Sequence, residues 1–140
     1  MRFIAGIPKG IVCFLGNLLG ILIYYNDYPH RRIVKRNLKF AYPEWADGEV
    51  RRVSRRVFQN LGITILEILQ MAFFSKEDFL RYIRIKGEEH LLNAVERGKG
   101  IVIISAHLGN WEAASLVSPC YFGYPGTVVA RNIESGVVNK

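Results

Sequence analysis

The sequence predicts an α/β fold in which an N-terminal membrane helix and further helices lead into the first strands of a parallel-rich sheet. Three observations support this prediction. Residues 3 to 25 are almost free of charge, which is typical of a helix in contact with a membrane. Residues 30 to 97 contain apolar side chains at helical spacing. Two short segments follow, at residues 101–105 and 127–131; the first is typical of a parallel strand buried on both faces, and the second is predicted to be the next parallel strand.

The N-terminal segment, residues 1–28, is predicted to be a membrane anchor, either single-pass or deeply interfacial. Residues 10 to 25 contain no charge, but this run is shorter than the ~20 residues that cross a bilayer squarely. Residues 3 to 8 extend it to spanning length, with Lys9 as the exception. A cleaved signal peptide and a buried helix of a soluble protein are the alternatives, although no small-residue cleavage site precedes Asn26. The basic residues that follow place residues 29–140 on the cytoplasmic side by the positive-inside rule.

Helices are predicted over residues 30–42, 49–74, 77–82 and 88–97. Pro43 ends the first of them, Asp47 is a candidate N-cap of the second, and Gly98 closes the last. Residues 83–85 alternate in the manner of a short strand.

The long helix over residues 49–74 changes character along its length. Its first half has four arginines on one side, which form a solvated face or contact anionic lipid headgroups or an acidic carrier protein: Arg51, Arg52, Arg55 and Arg56. Its second half is apolar nearly all round, with Glu67 inside it. Glu67 is expected to pair with a buried arginine or lysine or to face a polar groove, and it is not assigned a catalytic role.

Composition limits the function. The chain has 140 residues and a net charge of +7, which suits a single modest domain with an acidic partner such as nucleic acid, anionic lipid or an acidic protein. Cys13 and Cys120 lie far apart without accompanying histidine ligands. This spacing predicts neither a zinc site nor a disulfide framework.

The candidate site begins where the first predicted strand ends. His107 follows this strand, and Glu112 is expected in the first turn of the next helix, because open α/β sheets place ligands at the carboxyl ends of their strands. An imidazole with a pKa of ~6.5 can take a proton from a hydroxyl, and a carboxylate can fix its tautomer. Gly109 and Asn110 would form a tight turn whose amide groups stabilise an oxyanion. The alternative is a buried histidine and an unrelated surface glutamate, because this spacing by itself is a weak signal.

The segment His107-Leu-Gly-Asn-Trp-Glu112 resembles the H-x4-D/E signature of the lysophospholipid acyltransferase superfamily. Its specific form resembles the bacterial lipid A biosynthesis acyltransferases of the lauroyl and myristoyl type. Upstream segments are also similar to that family, and the resemblance covers residues 30 to 131. These segments are Arg36-Asn37-Leu38 with Phe40 and Pro43, Asn60-x-Gly62 with Glu67, Lys86-Gly87-Glu88-Glu89-His90-Leu91, and Gly98-x-Gly100.

The resemblance implies the transfer of a fatty acyl group from an acyl carrier protein thioester to a hydroxyl of a lipid A precursor. The reaction would occur at the cytoplasmic side of the inner membrane, without a metal, a cofactor or nucleic acid. His107 would be the general base, and Glu112 would orient it. Gly109 and Asn110 would contact the substrate, and Arg131 would either bind phosphate or be a plain surface residue.

The resemblance also implies that residues 29–140 are the N-terminal part of a longer acyltransferase domain. The chain by itself is then expected to be inactive, because much of the acyl pocket would be supplied by further strands and helices. Two alternatives remain open. One is acylation of another glycolipid or of a lysophospholipid by the same pair of residues. The other is an inactive, membrane-anchored basic module that binds anionic lipid or protein.

Overall fold

The computed structural model describes residues 2–106, 108–115, 122–124 and 127, and these residues form helices joined by short connections. The prediction of an α/β fold is wrong for this part of the chain, which contains no strand. The helices are α1 (Arg2–Ala5), α2 (Lys9–Asn26), α3 (Tyr28–Ala41), α4 (Asp47–Met71), α5 (Lys76–Tyr82), α6 (Glu88–Glu96) and α7 (Trp111–Ser115).

The first predicted strand, residues 101–105, is unpaired within the described part of the chain. Val102 and Ile104 are 89% and 91% exposed, although the sequence predicts that both faces of this segment are buried. A parallel strand depends on hydrogen bonds to a neighbouring strand, and no described segment supplies one. The second predicted strand, residues 127–131, lies outside the described residues apart from Thr127. Residues 83–85, predicted as a short strand, have no regular secondary structure.

The predicted helices are confirmed, with small shifts in their bounds. The helix α3 ends before Pro43, and α4 begins at Asp47 with Ala46 as its N-cap, so the assignment of Asp47 as the cap is wrong. Ser75 caps α5 through a reciprocal capping box. Gly98 follows α6 with a φ of +63°, in the left-handed region that commonly closes a helix.

The core of the described fold is the packing of α2 against α4. Gly16 lies against Ile63, and Gly20 lies against Gln59. Because residue numbers rise along α2 as they fall along α4, the two helices are antiparallel. A Cβ atom on Gly62 would overlap the carbonyl oxygen of Gly16, so the two backbones are in direct contact. Glycine permits this approach, as it does between helices in membranes.

Aromatic and basic side chains close the carboxyl end of α2. Tyr24 is buried and packs edge-on against Phe58, with 5.5 Å between the ring centroids. The guanidinium groups of Arg31 and Arg55 lie 5.2 Å and 5.8 Å from the Tyr24 ring centroid, within the range of cation–π attraction. This end of the helix pair is therefore fixed by one ring and the cations around it.

A buried amide fixes the other end of the pair. The Gln70 side chain is buried, and its Nε2 atom lies 3.2 Å, 3.2 Å and 2.8 Å from the carbonyl oxygens of Ile4, Ala5 and Ile7. These carbonyl groups belong to α1 and the turn that follows it, where a short helix leaves acceptors without partners. The contact attaches the N-terminal segment to α4.

The opposite face of α2 is apolar and uncovered in the described residues. Its large side chains are between 46% and 63% exposed: Ile11, Phe14, Leu15, Leu18 and Leu22. In the part of the chain that the structure describes, α2 is the one helix long and apolar enough to cross a membrane. The segment predicted to be an anchor is thus a helix with one face on α4 and one face that no described residue covers.

Candidate active site

The structure describes three of the five residues that the sequence assigns to the site. Gly109, Asn110 and Glu112 are described, whereas His107 and Arg131 lie outside the described residues. Within the described part of the chain, no group of three or more His, Cys, Asp or Glu side chains could hold a metal ion. The site is therefore built here from the segment around His107 and from the helices that contact it.

The turn before α7 has the geometry that the sequence predicts. Gly109 has a φ of +60°, a conformation that glycine adopts without steric cost. Asn110 follows it, and its Oδ1 atom accepts a hydrogen bond from the backbone N–H of Ala113 at 3.2 Å. This is the bond that a capping side chain makes at the start of a helix. Asn110 thereby fixes where α7 begins.

Glu112 lies in the first turn of α7, as predicted. Its side chain is exposed, and its Oε1 atom accepts a hydrogen bond from Nε1 of Trp111 at 3.0 Å. The predicted contact of Glu112 with His107 involves an atom outside the described residues. What the structure shows is an accessible carboxylate on a helix whose start is set by Asn110.

A second carboxylate, which the sequence does not assign to the site, contacts this turn. Glu67 of α4 is half-buried. Its Oε2 atom accepts a hydrogen bond from Nδ2 of Asn110 at 3.1 Å, and its Oε1 atom accepts one from the hydroxyl of Tyr82 at 3.0 Å. Both partners are neutral, so the arginine or lysine that the sequence suggested is not what satisfies Glu67 here. The sequence signals for this cluster were the charge of Glu67 in an apolar helical stretch and the resemblance described above for the segments that contain Glu67 and Asn110, whereas Tyr82 gave none.

Glu67, Tyr82 and Asn110 form a hydrogen-bonded group, the Glu67 cluster, in which the pKa of Tyr82 is raised. Burial, the hydrogen bond to Glu67 and the negative charge of that carboxylate raise the pKa of Tyr82 from 10.0 to about 12. The ammonium group of Lys9 lies 5.8 Å from the centroid of the Tyr82 ring. Tyr82 therefore remains a hydrogen-bond donor to Glu67 at neutral pH, close to the amino end of α2.

Basic side chains cover the end of the α2–α4 pair at which α2 finishes. The four arginines that the sequence places on one side of α4 are exposed. One of them, Arg55, donates to the Tyr25 hydroxyl at 3.5 Å, and Arg52 pairs with Glu49 at 2.9 Å. On α3 a shallow groove is lined mainly by basic residues: Pro29, Arg32, Ile33, Lys35, Arg36 and Lys39. This basic surface is separate from the Glu67 cluster.

Comparison with known proteins identifies related sequences. The family model of the bacterial lipid A biosynthesis acyltransferases matches residues 1–139. The lipid A biosynthesis lauroyltransferase of Escherichia coli (strain K12) is 26% identical over 101 residues, which are 72% of this chain and 33% of that protein. The lipid A biosynthesis palmitoleoyltransferase of the same organism is 21% identical over 111 residues, 79% of this chain and 36% of that protein.

A third relative is similar to this chain over a comparable part of its length. The lipid A biosynthesis acyltransferase of Haemophilus influenzae (strain ATCC 51907 / DSM 11121 / KW20 / Rd) is 24% identical over 117 residues, 84% of this chain and 37% of that protein. The chain thus spans about a third of the length of these curated relatives. No solved structure is significantly similar to it.

Proposed function

The chain belongs to the bacterial lipid A biosynthesis acyltransferase family, and from this premise we propose that it is part of an enzyme that moves a fatty acyl group onto a lipid A precursor. The observation behind the proposal is the family match over residues 1–139, because it includes the whole segment from His107 to Glu112. The relatives are named as acyltransferases of lipid A biosynthesis, so the acceptor proposed here is a hydroxyl of a lipid A precursor.

In the proposed reaction His107 is the general base. It takes the proton of the acceptor hydroxyl while the acceptor oxygen attacks the acyl carbonyl carbon. The carbon–sulfur bond of the donor thioester then breaks, and the proton passes from His107 to the departing thiolate. Glu112 orients the imidazole and stabilises its charged form. The place of Glu112 in the first turn of α7, shortly after His107 in the sequence, supports this role.

The residues between this pair shape the site in the same proposal. Gly109 adopts a positive φ, so the chain turns tightly between His107 and α7. Backbone N–H groups at such a turn stabilise the oxyanion that forms on the acyl carbon. Asn110 sets the start of α7, and Arg131 binds a phosphate of the acceptor.

The proposed donor is the thioester of acyl carrier protein, and the proposed location is the cytoplasmic side of the inner membrane. The net charge of +7 and the exposed cations of α3 and α4 suit both an acidic carrier protein and anionic headgroups. The uncovered apolar face of α2 supports contact with lipid acyl chains, because an exposed apolar patch of this kind marks a protein or membrane contact.

Acyl transfer by the protein as expressed from its gene tests the proposal. Membrane vesicles would receive radiolabelled acyl carrier protein thioester and a lipid A precursor. His107→Ala should abolish transfer, and Glu112→Gln should lower kcat by ~10⁴, as loss of the orienting carboxylate does in a catalytic triad. His90→Ala is the matched control, because His90 is an exposed histidine of α6. Transfer by His107→Ala at the rate of the control would contradict the assignment.

A further inference from the structure

The Glu67 carboxylate connects three segments that are distant in sequence. It extends from α4 and accepts one hydrogen bond from Tyr82 of α5 and one from Asn110 of the turn before α7. Each carboxylate oxygen is thus used by a different segment. A half-buried carboxylate that loses such a donor is left partly unsatisfied, so the arrangement with Asn110 in contact is favoured.

Asn110 is held at both ends of its side-chain amide. Its Nδ2 atom donates to Glu67, while its Oδ1 atom accepts from the backbone N–H of Ala113. One partner needs a hydrogen-bond donor and the other needs an acceptor, so the orientation of the Asn110 amide is fixed. Because the second bond fixes the first turn of α7, a displacement of Asn110 also displaces Glu112.

The described residues that precede Asn110 in this segment are exposed to solvent. Leu108 and Gly109 are exposed, as are all six residues from 101 to 106. Besides Glu67, the sulfur of Met71 lies 3.9 Å from Nδ2 of Asn110, which is a weak interaction. Of the two described contacts that Nδ2 of Asn110 makes with α4, the bond to Glu67 is the stronger, and it links this segment to the α2–α4 core.

We infer that Glu67 is a positioning residue, which holds the segment from His107 to Glu112 in its reactive place by binding Asn110. The inference rests on the proposed function, since it concerns the same site. Glu67 itself does not touch the substrate or exchange a proton in this role. The competing explanation is a purely structural one, in which Glu67 matters only because it joins α4 to α5 through Tyr82.

A fluorescence experiment measures the holding effect without any need for activity. The chain contains two tryptophans, so Trp45→Phe leaves Trp111, the neighbour of Asn110, as the single reporter. Glu67→Ala should raise the quenching of Trp111 by the neutral quencher acrylamide about twofold, because a segment that loses its buried contacts opens more freely. Glu67→Gln should keep the quenching of the parent protein, since a glutamine can accept from Asn110 and donate to the Tyr82 oxygen. Asn60→Ala is the control, because Asn60 is exposed on the same helix.

Kinetics of acyl transfer measure the consequence for the reaction. Glu67→Ala should lower kcat by about 10²-fold with little change in KM, because a displacement of ~1 Å can have an effect of that size. Glu67→Gln should restore kcat to within about threefold of the wild type, since a glutamine preserves the hydrogen-bond geometry. Adding Glu67→Ala to Asn110→Ala should cause no further loss, because the effects of residues in one network are not additive.

These measurements separate the two ideas. Unchanged quenching of Trp111 in Glu67→Ala, or full additivity of Glu67→Ala and Asn110→Ala, would overturn the inference even in a protein that transfers acyl groups. A loss in Tyr82→Phe equal to that in Glu67→Ala would also overturn it, because Tyr82→Phe leaves the bond to Asn110 in place. If the wild-type protein transfers no acyl group, the proposed function fails, and the quenching of Trp111 still decides whether Glu67 holds the segment.

Discussion

The α2–α4 pair and the segment over residues 101–106 are both rich in apolar side chains, yet only the pair buries them. Val12, Phe58 and Met71 are buried in the helix pair, whereas Val102 and Ile104 are almost fully exposed. A helix satisfies its own backbone hydrogen bonds and needs only a partner for one face. A strand needs the backbone of another strand. The helical region can therefore reach its packed form within the described residues, and the extended segment cannot.

The largest effect is expected where the two helix backbones touch. Gly20→Ala adds a Cβ atom that overlaps the carbonyl oxygen of Phe58 and the backbone of Gln59. The free energy of unfolding should fall by ~1–3 kcal/mol or more, as in overpacked cores. Gly10→Ala in the same helix is the control, because a Cβ atom there has nothing within 4 Å. Urea unfolding in detergent micelles, followed by circular dichroism, would check this, and equal stability of the two variants would contradict the glycine contact.

An intermediate effect is expected at Tyr82, where the helix pair meets the candidate site. The raised pKa of about 12 means that the folded protein favours the neutral phenol. The contribution of this preference to stability is fully present below pH ~10, the usual pKa of tyrosine, and is lost as the pH rises from ~10 to ~12. Wild-type stability should therefore fall more steeply over that interval than the stability of Tyr82→Phe.

Urea unfolding of both proteins at about pH 9 and about pH 11 measures this difference, because a shifted pKa contributes a pH-dependent term to stability. Tyr28→Phe serves as the control, since Tyr28 is 60% exposed. Equal slopes for wild type and Tyr82→Phe would show that the phenol is not held by Glu67 in the folded state.

The smallest effect is expected in the extended segment. Replacing Val102 and Ile104 together by serine should change the free energy of unfolding of the helical region by less than ~0.5 kcal/mol, as is usual at exposed positions. The matched change of Val12, which is buried in the helix pair, to serine should cost more than that, because shortening a buried side chain leaves a cavity and places a hydroxyl in an apolar site. A large loss from the first pair would remove the contrast between the two regions.

Local patterns predicted the helices well, because helical periodicity and end signals such as Pro43 and Gly98 act over a few residues. The prediction of a strand at residues 101–105 was wrong, because strand pairing is not determined by local patterns. The apolar run at residues 101–105 indicates burial, but burial in a sheet depends on pairing with segments remote in sequence. The place of Glu112 in the first turn of α7 was predicted correctly because it follows from Gly109 and Asn110 beside it.

The Glu67 cluster lies between these cases. A carboxylate inside an apolar helical stretch predicted that Glu67 pairs with a buried arginine or lysine or faces a polar groove, whereas its described partners are the neutral side chains of Tyr82 and Asn110. The identity of the partners could not be deduced, because Tyr82 and Asn110 come close only after α5 and the turn before α7 fold against α4. The contact of Gly20 with α4 was missed for the same reason, since small residues show their function only in a packed pair.

The antiparallel arrangement of α2 and α4 restricts how the protein can sit at a bilayer. The basic side chains lie beside Tyr24 and Tyr25 at the carboxyl end of α2, whereas Glu67 and Asn110 lie towards its amino end, where Lys9 meets the Tyr82 ring. With 18 residues, α2 is about 27 Å long, nearly the ~30 Å of the hydrocarbon core. An upright α2 would place the basic groups and the proposed catalytic segment beside Asn110 at opposite membrane surfaces. An α2 that lies along the surface keeps both in one headgroup layer, and its tilt then sets the height of Asn110 above the lipid.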